Sequence, residues 1–211
     1  MSEGKPAVRE RRSQSERRAE SWEALVKAAA AIVTEEGVSA ATFQAIGERA
    51  GYHRSLVTQR FGAKRGLVDA VIEYLEQSRE TQFKGSHLGE ISGLEALLRY
   101  TDGFLKDLAT NPNVRAYFRL LASAVAEISD VRTAFAEAHE RTRKRFEGFV
   151  LRGHADGSIR KDLDANAAAL MVGSLRLGVA MQVLVDPDVD IEPIRKTTLD
   201  VLRTSFAAPA R

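Results

Sequence analysis

Apolar residues recur along this chain at intervals of three and four residues, which is the spacing of one face of an α-helix. The first such stretch places Trp22, Leu25, Ala29 and Ile32 on one face, and Gly37 follows where a helix C-terminus favours glycine. No stretch shows the two-residue alternation of a half-buried strand. The pattern predicts an all-α protein of about nine helices.

The helices at the beginning of the chain are predicted to be short. A second helix spans residues 43–50 and begins after Thr42, a residue type that caps helix N-termini. Gly51 separates it from a third helix, whose expected core contacts are Val57 and Phe61. Three short helices with tight turns predict a small N-terminal domain.

From Ala63 onward the predicted helices become longer. One runs from residue 63 to about residue 85, and Ser92 with Glu95 forms a capping box that opens the next. The change in helix length predicts a basic, flexible arm, a small domain, and a larger helical domain joined to it by helix 63–85. Their expected boundaries are residues 1–19, 20–62 and 63–211.

An Ala- and Gly-rich stretch at residues 165–185 is long enough to span a bilayer. It carries Arg176 near its centre, and an arginine in the hydrocarbon core of a membrane is costly. The sequence therefore favours a buried or interface helix over a membrane span.

Charge is distributed unevenly along the chain. Residues 1–65 contain 12 Lys and Arg against 8 Asp and Glu, although the whole chain has a net charge of only +2. This imbalance indicates that the basic N-terminal part binds an anionic partner. The chain has no cysteine, which excludes disulfides and thiolate–zinc sites, and its N-terminus lacks the apolar run of a signal peptide. A cytoplasmic location is expected.

No pattern of an enzyme or of a cofactor site is found. The four histidines are scattered, and the H-E-x-x-H, G-x-S-x-G, G-x-G-x-x-G and phosphate-loop motifs are absent. The sequence therefore predicts no metal, no cofactor and no catalytic residue. A small all-α enzyme stays open as an alternative, since absent motifs do not exclude one.

The second and third predicted helices, with the glycine turn between them, are typical of a helix-turn-helix motif that binds double-stranded DNA. Base edges in the major groove need hydrogen-bonding side chains, while phosphates need cations, hydroxyls and free N–H groups at helix N-termini. A solvated polar helix is the alternative interpretation. The candidate DNA-binding residues are Thr42, His53, Arg54, Ser55, Thr58, Gln59, Arg60 and Lys64.

These candidates differ in their expected roles. Arg54 is expected at base edges, whereas Arg60, at the rim of the third helix, and Lys64 are expected at phosphates. His53 precedes the third helix, where an imidazole is expected to cap poorly and to face DNA instead.

The segment EEGVSAATFQAIGERAGYHRSLVTQRFGAKRGLVDAV, residues 35–71, resembles the DNA-binding region of the TetR family of transcriptional regulators. Gly47 departs from the family, which usually has alanine there, and Thr58 replaces a tyrosine that usually touches a phosphate. Arg60 stands where His or Tyr is common. The matching residues are Gly37, Thr42, Ile46, Ala50, Gly51, Phe61, Lys64 and Leu67.

The resemblance implies a repressor that binds a palindromic operator as a homodimer and is released by a small effector bound between the C-terminal helices. The sequence shows no defined polar cluster there, which favours an apolar effector. The alternative is that these side chains are only core. The candidate effector-binding residues are Tyr100, Phe104, Tyr117, His139, Arg143, Met171 and Leu175.

The resemblance also implies that the last two helices pair with those of a second copy. Small residues in the Ala- and Gly-rich helix would let two helices approach closely, although an intrachain core helix is the alternative. The candidate interface residues are Ala169, Gly173, Leu177, Ala180, Val201 and Leu202. Two other functions stay open, a transcriptional activator and a helical interaction module whose basic N-terminal region binds an acidic protein.

Overall fold

The structure, a computed structural model, describes residues 13–84, 88–126 and 131–209, with the helical backbone alone for residues 75–84. Within these residues the chain forms nine α-helices, a 3-10 turn at Val38–Ala40 and no strand, which confirms the all-α prediction. The helices are α1 (Gln14–Glu35), α2 (Phe43–Ala50), α3 (Arg54–Phe61), α4 (Lys64–Lys84), α5 (Gly93–Thr110), α6 (Pro112–Ala126), α7 (Val131–Asp156), α8 (Ala165–Val185) and α9 (Ile191–Phe206).

Helix α1 begins earlier than the sequence pattern predicted. The Ser13 side chain accepts a hydrogen bond from the Glu16 amide, and the Glu16 carboxylate accepts one from the Ser13 amide at 2.7 Å. This capping box holds the first turn. Helix α1 therefore begins inside the predicted arm, and residues 1–12 of that arm lie outside the described residues.

The first three helices pack around a shared apolar centre. Leu25 of α1, Ile46 of α2 and Val57 of α3 are fully buried in one hydrophobic cluster. Gly51 adopts φ 75°, a left-handed conformation in which glycine has no Cβ penalty, and it ends α2 so that α3 can turn back. This packing fixes which face of α3 is left to solvent.

The C-terminal helices form a second apolar centre. Phe146 of α7, Val172 of α8 and Leu202 of α9 are fully buried there, together with residues of α5. Helix α7 packs along α8, and α5 packs against both α7 and α9. This cluster lies away from α1, α2 and α3.

Helix α6 connects the larger helical part directly to α1. The Arg119 guanidinium donates hydrogen bonds to the Thr34 and Val33 carbonyls at the C-terminal end of α1. The Thr34 hydroxyl is 3.3 Å from the Pro112 carbonyl oxygen at the start of α6. Apolar residues of α1, α4, α5 and α6 also belong to one cluster, so the hydrophobic core is continuous across the predicted domain boundary at residue 62.

Helix α8 is the one helix within the described residues that is long and apolar enough to cross a membrane. Core helices of soluble proteins meet the same criterion, so this is weak evidence for a membrane span. Arg176, near its centre, is buried against aromatic rings of α5 and α7.

The N-terminus of α5 is held by the last residue of α7 and by the loop that follows it. The Asp156 carboxylate accepts a hydrogen bond from the Gly93 amide at 2.8 Å, and the Ser158 hydroxyl accepts one from the Leu94 amide. Partial burial raises the pKa of Asp156, but hydrogen bonds from Ser158 and Gly93 and the charge of Arg152 outweigh it and hold this pKa below its usual value. The carboxylate is therefore stabilised in its ionised form.

Asp156→Asn is expected to lower the free energy of unfolding at pH 7 by about 1 kcal/mol, the usual cost of a lost helix cap. A carboxyl whose pKa is depressed in the folded state contributes stability above its unfolded pKa, and loses it as pH falls through the folded pKa. The difference between wild type and variant should therefore shrink in urea titrations below about pH 4.

Asp162→Asn is the matched control, because Asp162 is an exposed aspartate in the loop that follows α7 and caps no helix. An Asp156→Asn variant as stable as Asp162→Asn at pH 7, or a difference that does not change with pH, would contradict the capping role.

Candidate nucleic-acid interface and ligand cavity

Helix α3 has one buried and one exposed face. Val57 and Phe61 are buried against α1 and α2, as their spacing predicted. The opposite face carries polar side chains at the i, i+1, i+4 and i+5 positions that one side of a helix presents. These exposed residues, which we call the α3 polar face, are Arg54, Ser55, Thr58 and Gln59.

The starts of α2 and α3 are both capped by side chains. The Thr42 hydroxyl accepts a hydrogen bond from the Ala45 amide at 3.2 Å. His53 Nδ1 accepts one from the Ser55 amide at 3.2 Å and lies 2.9 Å from the Ser55 hydroxyl. The expectation that an imidazole would cap α3 poorly is therefore wrong. His53 is also exposed, so it can cap the helix and remain on the surface.

Three further candidates lie around the α3 polar face in different settings. The Thr58 hydroxyl donates to the Arg54 carbonyl of its own helix at 3.2 Å. Arg60 is half-buried, and its guanidinium donates to the Ser21 hydroxyl on α1 at 3.1 Å. Lys64 is exposed as the first residue of α4. No pattern in the sequence points to Ser21 as the partner, since it lies 39 positions before Arg60.

Gly47 explains how closely α2 and the turn before α3 approach each other. A Cβ atom at this position would lie 2.7 Å from the Tyr52 carbonyl oxygen and 3.3 Å from Val57 Cγ2. Backbone cannot retreat from such a contact as a flexible side chain can. The departure from alanine seen in the sequence is therefore a local packing requirement of this chain.

A cavity of about 340 Å³ opens between α4, α5, α6, α7 and α8. Tyr100, Tyr117, His139 and Arg143 line it, as the sequence suggested. The remaining three effector candidates do not line it. Phe104 is buried beneath Arg176, Met171 is 47% exposed, and Leu175 is half-buried away from the cavity wall.

The inner wall of the cavity carries a buried cation. Arg176 is only 5% exposed, and its guanidinium carbon lies 4.0 Å from the ring centroid of Phe104 and 5.1 Å from that of Phe146. Burial and the nearby charge of Arg176 lower the pKa of His139, which lines the same cavity. The ring of His139 is thus favoured in its neutral form.

Arginines of α7 line the same cavity. Arg145 donates to the Tyr100 hydroxyl at 3.0 Å. Arg143 is bound by Glu140, Glu147 and Asn166. The expectation of a cavity without a polar cluster is therefore wrong. Arg143 and Arg176 stand out in the sequence as polar residues of these helices, but the pattern does not show that the arginines converge, because they do so only when α7 packs along α8. The arginines that line the cavity are Arg141, Arg143, Arg145 and Arg176.

Most of the predicted interface residues do not lie on an outer face. Ala169, Ala180 and Leu202 are buried inside the protomer, so a second copy cannot contact them unless the core opens. Gly173 and Leu177 are half-buried and line the cavity. Of the six, only Val201 is largely exposed, at 51%. The outer face of α8 instead presents a stripe that the sequence analysis missed, with Leu170, Met171 and Val185 as its large apolar residues.

No group of three or more His, Asp or Glu side chains within residues 13–84, 88–126 and 131–209 is placed to hold a metal ion.

Two family models match the chain. The model of bacterial regulatory proteins of the tetR family matches residues 25–71, which contain the α3 polar face. The model of the C-terminal part of BetI-type transcriptional repressors matches residues 93–207, more than half of the chain. A search of curated protein sequences finds no match.

Solved structures with the same fold cover most of the chain. A TetR-family transcriptional regulator from Rhodococcus sp. is 24% identical with a TM-score of 0.76, over 88% of this chain and 98% of that one. SmeT, the repressor of the Stenotrophomonas maltophilia multidrug efflux pump SmeDEF, is 22% identical with a TM-score of 0.73, over 90% and 91%. Bacillus subtilis FadR, in complex with stearoyl-CoA, is 17% identical with a TM-score of 0.74, over 87% and 98%. At such identities the likeness establishes the fold alone.

Gly47→Ala is expected to lower the free energy of unfolding by about 1–3 kcal/mol, because the added methyl group forces backbone to shift. Urea denaturation measures this loss. Gly148→Ala is the matched control, since that glycine lies on an exposed face of α7 with open space around it. The control should gain about 0.5–1 kcal/mol from the higher helix propensity of alanine. Equal stabilisation by both changes would show that the close approach at Gly47 is not required.

Proposed function

The chain belongs to the TetR family of bacterial transcriptional regulators, and on that premise we propose a repressor that binds a palindromic operator as a homodimer and is released by a small effector. The observation that carries the proposal is the α3 polar face, exposed opposite a buried apolar face and flanked by capped helix starts. Such a protein acts without catalysis, in the cytoplasm where the DNA is.

The α3 polar face suits the major groove of DNA. Arg54 and Gln59 carry the donors and acceptors that read base edges, with arginine suited to guanine and glutamine to adenine. Ser55 and His53 stand at the start of the same helix, where short side chains reach the nearest base or phosphate. We propose that these residues provide the sequence preference.

We propose that the N-termini of α2 and α4, on either side of the α3 polar face, bind phosphates. Thr42 places its hydroxyl and the free amides of α2 at the surface, and Lys64 adds a positive charge at the start of α4. Thr58 can offer its hydroxyl only within its short reach, since it is bonded to its own helix. Arg60 contributes first by holding α3 on α1 through Ser21, and reaches a phosphate only by giving up that bond.

A homodimer is supported by the apolar stripe on the outer face of α8. Val185 is 83% exposed and Leu170 and Met171 are also largely exposed, which is unusual for a single helix face of a soluble monomer. Val201 adds apolar area on α9. To bind a palindrome, a dimer formed through this stripe has to place its two reading helices about 34 Å apart, one in each half-site.

Release by a small molecule is supported by the cavity. SmeT has been solved in complex with triclosan, and Bacillus subtilis FadR in complex with stearoyl-CoA, so two proteins of this fold hold small molecules. We propose that the effector of this chain occupies the cavity lined by α4 to α8.

Coupling between effector binding and DNA binding would pass through the helices that line the cavity. Helix α6 lines it with Val114, Tyr117 and Phe118, and its Arg119 is bonded to the end of α1. Helix α4 lines it with Ile72 and begins directly after α3. An effector that prefers one arrangement of α4 and α6 changes the spacing of the two reading helices. A hundredfold loss of operator affinity requires only about 2.7 kcal/mol of differential binding.

Selection of bound sequences from a random pool of DNA duplexes is expected to yield a palindrome. Variants of the protein should then distinguish residues that contact bases from residues that contact phosphates. Arg54→Ala should cost about 1–3 kcal/mol of binding free energy and relax the preference at one position in each half-site. Lys64→Ala should weaken binding to all sequences alike and make the slope of log affinity against log salt shallower by about 2, one unit for each protomer of the dimer. Fluorescence anisotropy at several salt concentrations measures both.

Lys161→Ala, which removes an exposed cation from the loop between α7 and α8, is the control and should bind as wild type does. Equal binding of wild type to every polyanion, with no palindrome selected, would contradict operator recognition and favour a module that binds acidic partners.

Met171→Glu is expected to give a monomer, because it places a charge in the middle of the apolar stripe on α8. Sedimentation velocity measures the change, and operator affinity should fall with it. Val125→Glu is the matched control, since Val125 is 65% exposed but lies at the end of α6, away from the stripe. A wild-type monomer at micromolar concentration, or a dimer that survives Met171→Glu, would refute this interface.

A further inference from the structure

We infer that each effector cavity is completed by a second copy of this chain, which covers the part of the cavity wall that α8 leaves exposed. The inference rests on the proposed function, because it uses the proposed dimer contact on α8 and states how the same cavity is regulated. Its consequence is that a molecule in the cavity strengthens the dimer, and that the dimer binds this molecule more tightly than a single protomer does.

Leu170 belongs both to the cavity wall and to the apolar stripe on α8. Its side chain lines the cavity, yet Leu170 is 60% exposed. Ser174, one turn further along α8, also lines the cavity and is exposed. The cavity therefore reaches the outer face of α8 at these two positions, and a partner that covers the stripe at Leu170 also covers this part of the wall.

The exposed face of α8 is suited to contact a second copy of itself. Arg176 is the one charged residue among the 21 of α8, all of which the structure describes, and it is buried. A helix face in water normally carries charged side chains, whereas the centres of protein interfaces are depleted of them. Two uncharged faces can meet without repulsion between like charges, as the isologous contact of a two-fold dimer requires. These observations favour a second copy over a charged partner.

Gly178 indicates that another helix approaches α8 on this face. It is exposed, lies one turn beyond Ser174, and stands inside the helix, where glycine is less favourable than alanine. A Cβ atom at this position would meet no described atom of another helix of the protomer within 4 Å. Packing within the protomer thus does not require glycine here, whereas the close approach of a second helix backbone would.

Covering the exposed wall strengthens ligand binding for two reasons. In a single protomer a ligand keeps water on the side of Leu170 and Ser174, although ligand sites usually bury about 70–90% of the ligand surface. Apolar area that the partner removes from water contributes free energy in proportion to that area. The partner also restricts the Leu170 side chain, so less rotamer freedom is lost when the ligand arrives.

Ligand binding and dimerisation are then linked with equal strength in both directions. A dimer holds two cavities, one from each protomer. If each cavity binds a ligand about tenfold more tightly in the dimer, saturating ligand lowers the dissociation constant of the dimer by about tenfold for each site, or about hundredfold in total. The relation holds for any molecule that occupies the cavity, so an uncharged probe can test it before the natural effector is known.

N-phenyl-1-naphthylamine, an uncharged dye that fluoresces in apolar surroundings, is the probe. Sedimentation velocity of the full-length wild type without DNA, over a dilution series, measures the dissociation constant of the dimer. Saturating dye should lower this constant about hundredfold. Dye titrations at protein concentrations well above and well below the same constant should give dye affinities that differ about tenfold, with the tighter binding to the dimer.

Glycine variants assign the effect to the partner and the dye to the cavity. Gly178 does not line the cavity, so Gly178→Leu should remain folded, lose the dimer, and bind the dye about tenfold more weakly, as the wild-type protomer does. Gly148→Leu is the matched control, because Gly148 is exposed on α7 with open space around it, and it should change neither quantity. Gly173→Leu places a side chain in the cavity and should weaken dye binding to dimer and protomer alike.

The outcomes separate the inference from the proposed function. Linked dye binding by a protein that selects no operator would support the inference and refute the repressor. A dimer that binds an operator but takes the dye no more tightly than its protomer does would refute the inference and leave the repressor standing. A wild type that stays monomeric with and without dye would refute both the inference and the proposed dimer.

Three further results would also overturn the inference. They are the absence of dye binding to the dimer, undiminished dye binding by a folded, monomeric Gly178→Leu variant, and undiminished dye binding by a folded Gly173→Leu variant. Thermal unfolding of each variant shows whether it is folded.

Discussion

The contact between α1 and α6 is the interaction on which the rest of this structure depends. Arg119 satisfies carbonyl groups at the C-terminal end of α1, where a helix leaves its last carbonyls without partners of its own. The same α6 forms the apolar wall of the cavity. Since α1 carries α2 and α3 on its other side, the reading surface and the cavity share one support. A regulator with separate domains would need a hinge, whereas here a packed helix joins the two sites.

The reading surface depends on two local constraints more than on the polar residues themselves. Gly47 lets the turn before α3 approach α2, and His53 caps α3 through Nδ1. The departure from the family pattern at Gly47 thus has a structural cause within this chain. Arg60 belongs with them, because its bond to Ser21 fixes α3 on α1. The polar face of α3 is then oriented by side chains that lie behind it or at its end.

The cavity shows how a buried charge can be retained in an otherwise apolar helix. Arg176 lies in the longest apolar stretch of the chain, where isolated burial would be costly. Aromatic rings from α5 and α7 surround its guanidinium and compensate part of that cost through cation–π interactions. Arg176 is thus held in place by packing against rings that the fold brings together from two helices.

The sequence by itself determined the all-α fold, the positions of most helix ends and the exposed residues of α3, because these follow from periodicity, caps and glycine turns within about twenty residues. The apolar pattern did not show where α1 begins, because a capping box at Ser13 and Glu16 extends this helix into the predicted arm. Only the tertiary structure decided that Arg60 bonds Ser21, that Arg176 joins the α7 arginines at one cavity, and that Ala169, Ala180 and Leu202 face the core. Those outcomes depend on how helices far apart in sequence pack and rotate against one another, and a single helix pattern fixes its apolar face but not the partner that covers it.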